Sequence, residues 1–370
     1  MAGSIALLVA LLLVRTQHWH GHLSMDSDQG VQKFHTSPTP RVGGIAIAVG
    51  VVAGYLFANA GSQTLLGPLI LAGIPAFAFG LLEDVTKRVS VRTRLLATMG
   101  CGVLGWAITG YSITDANVPG LDWLLGFTAI SVLFTAFAVG GIANAINIVD
   151  GFNGLAAGTV IIILTAFGVM TTALGDYDLA LVCLILGCAV AGFLLVNWPL
   201  GKIFLGDGGA YFVGFSLAWL AVLILARHAE VSAWAPMLVC GYPILEVGFS
   251  FVRKASREGH HPGQPDRVHL HMLLNRRVAR KIYPGMSKTL QNGLTSLFAW
   301  PCALVPACWA VVFYNNTVAL FFGFLVFIVL YKLLYMRLTQ FRWCWKSKAR
   351  TTAKLEPAFR ARQQEAFKRF

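Results

Sequence analysis

The chain has 370 residues, 56% hydrophobic and only 12% charged, with a mean hydropathy of +0.68. That composition excludes a soluble globular protein and points to an all-α, polytopic integral membrane protein. A formal net charge of +13 could suggest a nucleic-acid binder, but the Lys and Arg residues fall in alternate loops and at the C-terminus, so no nucleic-acid partner is expected.

A bilayer-crossing helix needs about 20 apolar residues. Such runs number about eleven, near 3–14, 43–60, 65–82, 94–111, 121–141, 155–174, 178–196, 208–226, 231–252, 289–312 and 317–336. The opening run, Ile5 to Val14, is read as a first helix, since no small-residue cleavage site follows it. The cysteines lie mostly inside apolar runs with no CxxC pair and read as small core residues.

Basic residues fill the loops after the first, third, seventh and ninth runs, and the intervening loops hold little besides Arg227. The positive-inside rule then makes the odd-numbered loops cytoplasmic, with the N-terminus outside and the C-terminus inside. Residues 1–336 are expected to form one transmembrane catalytic domain that includes a cytoplasmic loop at 253–288. Residues 337–370 form a basic, Trp- and Phe-containing tail suited to an anionic lipid surface.

Five segments carry chemistry, all on the predicted cytoplasmic side. Lys33-Phe-His35-Thr-Ser-Pro38-Thr-Pro40-Arg41-Val-Gly43-Gly44 is a rigid basic stretch that fits an anion-binding loop. A positive-inside anchor accounts for Lys33 and Arg41 but not for the paired prolines and glycines. Glu83-Asp84 places two like charges at an apolar boundary, where they repel unless a cation or proton lies between them. The other reading is a solvated helix end neutralised by Lys87 and Arg88.

In Asn144-Ala-Ile-Asn147-Ile-Val-Asp150-Gly-Phe-Asn153-Gly154 the polar groups recur every three residues, so Asn144, Asn147 and Asp150 share roughly one helix face. Caps and a turn are the alternative. Asn197 precedes Phe204-Leu-Gly206-Asp207-Gly208-Gly209, where Asp207 reads either as an ordinary N-cap or as a carboxylate stripped of neighbours to meet metal and phosphate. Asn197 could offer an amide and Phe204 an aromatic face to a base. Finally, Asp266-Arg267-Val-His269-Leu-His271 sets two imidazoles two residues apart beside an Arg, which suits anion contacts better than zinc. A merely solvated loop is the other option.

In this order, from about Lys33 to Arg277, the segments resemble the polyprenyl-phosphate N-acetylhexosamine-1-phosphate transferase family, whose members include phospho-MurNAc-pentapeptide translocase. The His-x-His loop is more similar to the branch that starts O-antigen and common-antigen synthesis. The resemblance implies an Mg²⁺-dependent enzyme, with Mn²⁺ as a substitute, that transfers a sugar-1-phosphate from a UDP-N-acetylaminosugar to polyprenyl (undecaprenyl) phosphate and releases UMP. It implies an acidic site of Glu83, Asp84, Asp150 and Asp207, with Asp207 the leading metal ligand and Asp150 and Asp84 its partners. By the same resemblance Asn147 and Asn153 lie in the amide-acid motif, and Asn197 and Phe204 hold the uracil. Arg267, His269 and His271 meet the diphosphate and sugar, and Lys33 and Arg41 meet nucleotide or phosphate.

Three departures stand out: Glu83 where the family usually has Asp, Asn153 at the second acid of DGxDG, and Met272 where a further His is usual. A phosphate monoester is largely ionised at pH 7, so a direct single displacement is preferred to a covalent carboxyl-phosphate. The implied setting is the inner membrane with the site facing the cytoplasm; lipid is a partner, and a second copy of the chain in a homodimer is left open. The rival from another class is an ion-coupled secondary transporter, whose acids would sit near the bilayer midplane in repeated halves.

Overall fold

A computed structural model describes residues 1–26, 39–255 and 268–340, with the backbone alone described at 22–26. Lys33, Arg267 and the tail from 341 onward lie outside the described residues. The regular structure of the described chain is α-helical, apart from a two-residue antiparallel pairing of β1 (Met25–Asp26) with β2 (Thr39–Pro40) and one π-helical turn at Asn275–Ala279. In order the helices are α1 (Ala2–Arg15), α2 (Gln17–Ser24), α3 (Gly43–Leu56), α4 (Ala60–Thr86), α5 (Val91–Thr109), α6 (Leu121–Leu125), α7 (Thr128–Val149) and α8 (Leu155–Ala173). They continue with α9 (Tyr177–Asn197), α10 (Gly206–Arg227), α11 (Trp234–Val239), α12 (Gly241–Ala255), α13 (Leu270–Leu274), α14 (Arg280–Ile282), α15 (Lys288–Val312) and α16 (Thr317–Thr339).

The architecture is that of a polytopic membrane protein, and every one of the eleven expected runs is helical, although not every run is one span. Among the described residues seven helices, α4, α7, α8, α9, α10, α15 and α16, are long and apolar enough to cross a membrane. α1 and α3 are apolar but have 14 residues each, about 21 Å of helix against a hydrocarbon core of about 30 Å. α5 carries Arg92 and Arg94 in its first turn. The run at 231–252 is broken at Cys240 into α11 and α12, just before Gly241 and Pro243, where a proline removes a helix donor.

α10 is the central helix, buried from Gly206 to Ile224. Without a hydrophobic force between helices in lipid, close approach depends on small residues. A Cβ on Gly44 of α3 would lie 2.3 Å from Gly209 N, one on Gly208 would lie 2.9 Å from Leu81 N of α4, and one on Gly214 would lie 2.7 Å from Ala143 Cα of α7. The glycines around Asp207 therefore serve helix crossings, where the sequence reading gave them the task of clearing space for a ligand. These crossings bring the ends of α4, α7 and α9 and the starts of α3, α5, α8 and α10 to one end of the bundle.

At the opposite end Asn59 and Ser62 of the α4 N-terminus bond Asp178. There too, Arg227 and His228 at the end of α10 bond Asp176 in the α8–α9 turn.

Candidate active site

The segment before α3 is laced to the segment before α10. Phe204 N–H donates to Pro40 C=O at 2.8 Å, and Gly43 and Gly44 N–H donate to Phe204 and Leu205 C=O at 2.9 Å. Arg41 thereby lies beside the start of α10. Gly206 has φ +74°, and a Cβ there would sit 2.2 Å from Arg41 O and 2.6 Å from Asp84 Oδ2. Only glycine suits both that backbone conformation and that space.

Asp84, at the end of α4, is 1% exposed. Its Oδ1 accepts the N–H of Asp207 and its Oδ2 that of Gly208, both at 2.9 Å. A carboxylate from another helix thus satisfies the orphan donors of the α10 N-terminus and faces the positive end of its dipole. Asp207 is not the cap of its own helix; that position is Leu205, which makes no side-chain cap bond.

Freed from capping, the Asp207 carboxylate accepts from Arg41 Nη2 at 3.0 Å, from Asn147 Nδ2 at 3.1 Å and, on its other oxygen, from Arg94 Nη1. Arg41 Nε also lies 3.5 Å from Asp84 Oδ1, so one guanidinium spans both acids. Asn147 reaches Asp207, whereas Asn144 turns to Thr98 of α5 at 3.3 Å.

Asp150 closes α7 on the same side. It is half-buried and makes no side-chain hydrogen bond or ion pair among the described residues. Although part of its surface remains reachable, surrounding protein raises its carboxyl to about 7, through burial first, opposed by Arg41 and reinforced by Asp207 and Asp84. Glu83 turns away: its Oε2 accepts the N–H of Val89 at 2.7 Å and shapes the α4–α5 turn.

Asn197, expected at the uracil, and Asn153, expected as a substrate contact in the amide-acid motif, both hold backbone. Asn197 accepts the N–H of Gly154 at 2.6 Å and donates to Ile203 C=O at 2.7 Å. Asn153 donates to Pro199 C=O at 3.1 Å, while its N–H meets Asn292 Oδ1 at 2.8 Å. Phe204 is half-buried at the joint of the two laced segments.

The His-x-His pair joins the same end. The His269 and His271 rings stack in parallel, 5.3 Å apart, and His271 also meets Phe152 edge-on at 5.7 Å. A Cβ on Gly151 would lie 3.1 Å from His271 Nε2, so the amide-acid motif and the His pair touch. His271 is fully buried, with neither ring nitrogen bonded among the described residues. Burial pushes its imidazole down to about 4, so it is neutral at pH 7.

Among the described residues no three His, Cys, Asp or Glu side chains gather to hold a metal. Magnesium asks less of a protein: it keeps waters and binds through one or two carboxylates plus substrate phosphates. The unbonded Asp150 suits that chemistry; Asp207 would take part by releasing Arg41, Arg94 or Asn147 from one of its oxygens, as Asp84 would by releasing an N–H group of α10. Sequence reasoning missed Arg94 and the buried Glu246 of α12, each a charge in or beside an apolar run. The cost of a charge in apolar surroundings, which marked the acids, marks both of these as well.

The family model for glycosyl transferase family 4 matches residues 66–225, which hold Asp84, Arg94, Asp150, Asn197 and Asp207. The chain is 31% identical over 245 residues to the Bacillus subtilis protein named "Probable undecaprenyl-phosphate N-acetylglucosaminyl 1-phosphate transferase", covering 66% of this chain and 67% of that one. It is 27% identical over 250 residues to an undecaprenyl-phosphate alpha-N-acetylglucosaminyl 1-phosphate transferase of Yersinia pestis, covering 66% and 68%. It is 29% identical over 309 residues to a decaprenyl-phosphate N-acetylglucosaminephosphotransferase of Mycobacterium tuberculosis, covering 72% and 74%. The acids gather at helix ends on one face of the bundle, unlike the midplane site of a carrier, and with these likenesses the chain belongs to glycosyl transferase family 4, among its polyprenyl-phosphate sugar-1-phosphate transferases.

Proposed function

We propose that the protein transfers a sugar-1-phosphate from a UDP-N-acetylaminosugar to polyprenyl phosphate, releasing UMP, and so forms the lipid-linked sugar that starts a surface glycan such as O-antigen. The observation that carries this reading is the convergence of Arg41, Arg94 and Asn147 on Asp207, with Asp150 and the stacked His pair at the same end of the bundle. Three carboxylates there face two guanidiniums, yet both proposed substrates are anionic. Two like unit charges 4 Å apart repel by about 4 kcal/mol near a protein surface, so attack of one phosphate on another needs added positive charge.

Asp207 and Asp150 would hold Mg²⁺, or Mn²⁺ in its place, which when bound neutralises phosphate oxygens. Arg41 and Arg94 orient the anions around it. The attacking oxygen of the lipid phosphate is already ionised, so no base needs to be assigned, and Glu83, bonded to the α4–α5 turn, is not given that role. Lys33 and Arg267 are proposed as further phosphate contacts.

In this reading the site faces the cytoplasm of the inner membrane, as the distribution of Lys and Arg indicates. A cysteine introduced at Arg88 should then resist an impermeant maleimide in intact cells, and one at Glu230 should react. Purified protein, Mg²⁺, undecaprenyl phosphate and a panel of UDP-aminosugars should release UMP, with EDTA abolishing and Mg²⁺ restoring it. Silence across the panel refutes the proposal.

A further inference from the structure

Glu246 is an acid in the middle of α12, 1% exposed, and no part of the reaction above uses it. Its Oε1 accepts from His269 Nδ1 at 2.8 Å and from Leu270 N–H at 3.1 Å, and its Oε2 accepts the Tyr331 hydroxyl at 2.9 Å. The next turns of α12 and α16 extend the same hold. Arg253 Nη1 donates to Val268 C=O at 3.1 Å and to the Tyr335 hydroxyl at 2.8 Å, while Tyr335 donates to Val268 C=O at 3.0 Å. Phe249 packs between the two tyrosines, 5.6 Å from Tyr331 and 4.8 Å from Tyr335.

The spacing explains the convergence. Glu246, Phe249 and Arg253 lie at i, i+3 and i+7 on one face of α12, and Tyr331 and Tyr335 at i and i+4 on one face of α16. Both faces close on residues 268–270, the start of the His-x-His pair. An ionised carboxylate offers only acceptors, so the His269 nitrogen facing Glu246 is the one that carries the proton. His269 is then fixed in tautomer and ring orientation, and His271 stacks on it in parallel.

We propose that Glu246 is a positioning residue: acting through His269, it fixes how the His-x-His pair meets the diphosphate of the sugar nucleotide. This rests on the transferase reading. It assigns Glu246 an effect on the donor and none on polyprenyl phosphate, a split that a merely structural acid would not give.

The test compares Glu246→Ala, Glu246→Gln, His269→Ala and the Glu246→Ala/His269→Ala pair. Glu246→Ala is expected to raise the donor KM about tenfold and leave the polyprenyl-phosphate KM within about twofold. Glu246→Gln, which can keep all three hydrogen bonds, should stay within about threefold of wild type. The double variant should be no worse than His269→Ala, because groups acting through one another are not additive. Equal rises in both KM values, full additivity, or a donor KM unchanged in Glu246→Ala would overturn the proposal.

If Glu246→Ala does not survive extraction, Tyr331→Phe, which removes one restraint on the carboxylate, should raise the donor KM about threefold; no change overturns it equally. Thermal protection by UDP alone keeps the two questions apart. Protection present in wild type and lost in Glu246→Ala, in a protein that turns over no donor, would sink the transferase and leave the positioning role standing. Turnover by wild type with equal UDP protection in the variant would do the reverse.

Discussion

Replacing Gly206 by Ala should damage stability and turnover together. At φ +74° an L side chain costs about 1–2 kcal/mol, and the new Cβ would sit 2.2 Å from Arg41 O and 2.6 Å from Asp84 Oδ2. Ordinary carbon–oxygen contact needs about 1 Å more, so the Asp84 carboxylate must retreat from the Asp207 and Gly208 N–H groups it caps at 2.9 Å. Losing even one hydrogen bond to a charged group costs about 1.5–3 kcal/mol, which with the backbone strain makes at least about 2.5 kcal/mol. For a protein of this size that corresponds to roughly 3 °C or more in Tm. Detergent-solubilised protein followed by intrinsic fluorescence on heating reads the first effect, and UMP release reads the second, expected to fall more than about tenfold as Asp207 shifts. Gly100→Ala is the control, since a Cβ there meets nothing within 4 Å. A Gly206→Ala protein with wild-type Tm and turnover would refute the account of how α10 is seated.

The two central acids should separate. Asp207→Asn is expected to stay folded and lose UMP release by about a thousandfold or more. Asp84→Asn presents an amide NH₂ to one of two helix N–H donors and should lose about 1–3 kcal/mol of stability in chemical denaturation; equal melting of Asp84→Asn and wild type would remove the capping role. Arg94→Ala, which strips one guanidinium from Asp207, should lower kcat/KM about tenfold or more, with only partial rescue by Lys, a single point charge in place of a planar fork. At the opposite face, burial works against the Asp176 charge, but the bonds from Arg227, Leu179 N–H and His228 outweigh it and hold its carboxyl below the ordinary 3.8. That stabilisation is present above the unfolded value and lost as pH falls through the lower folded one. Asp176→Asn should therefore cost about 1 kcal/mol at pH 7, low because Arg227 is one-third exposed, and the difference from wild type should shrink as pH falls below the ordinary 3.8.

Local patterns carried most of what the sequence made legible. Apolar runs marked every long helix, though not the short α2, α13 and α14, and the motifs that marked Arg41, Asp84, Asn147, Asp207 and the His pair meet at one end. What escaped were partnerships across long separations. Asp84 and Asp207 are 123 residues apart, so no local pattern reveals that the first caps the helix of the second. The glycines at 206, 208 and 209 signal close approach, but their partners, Arg41 and Asp84, Leu81 and Gly44, belong to distant segments of the chain. Asn197 and Asn153 hold backbone in this structure, and an amide that contacts backbone has the same sequence signature as one that awaits a ligand. The break at Cys240 was signalled by Gly241 and Pro243, yet uniform apolarity around it concealed it.

The ionic clasp at the far end of α10 gives that helix a second anchor. Its 22 residues span about 33 Å, with Arg227 and His228 fastened to Asp176 at one extremity and Asp84 fastened to the first amides at the other. A rod held at both tips cannot slide along its axis or turn about it without breaking charged contacts. Asp207, in the first turn of that rod, is therefore stationary, and a ligand that meets it must conform to the rod rather than draw it closer.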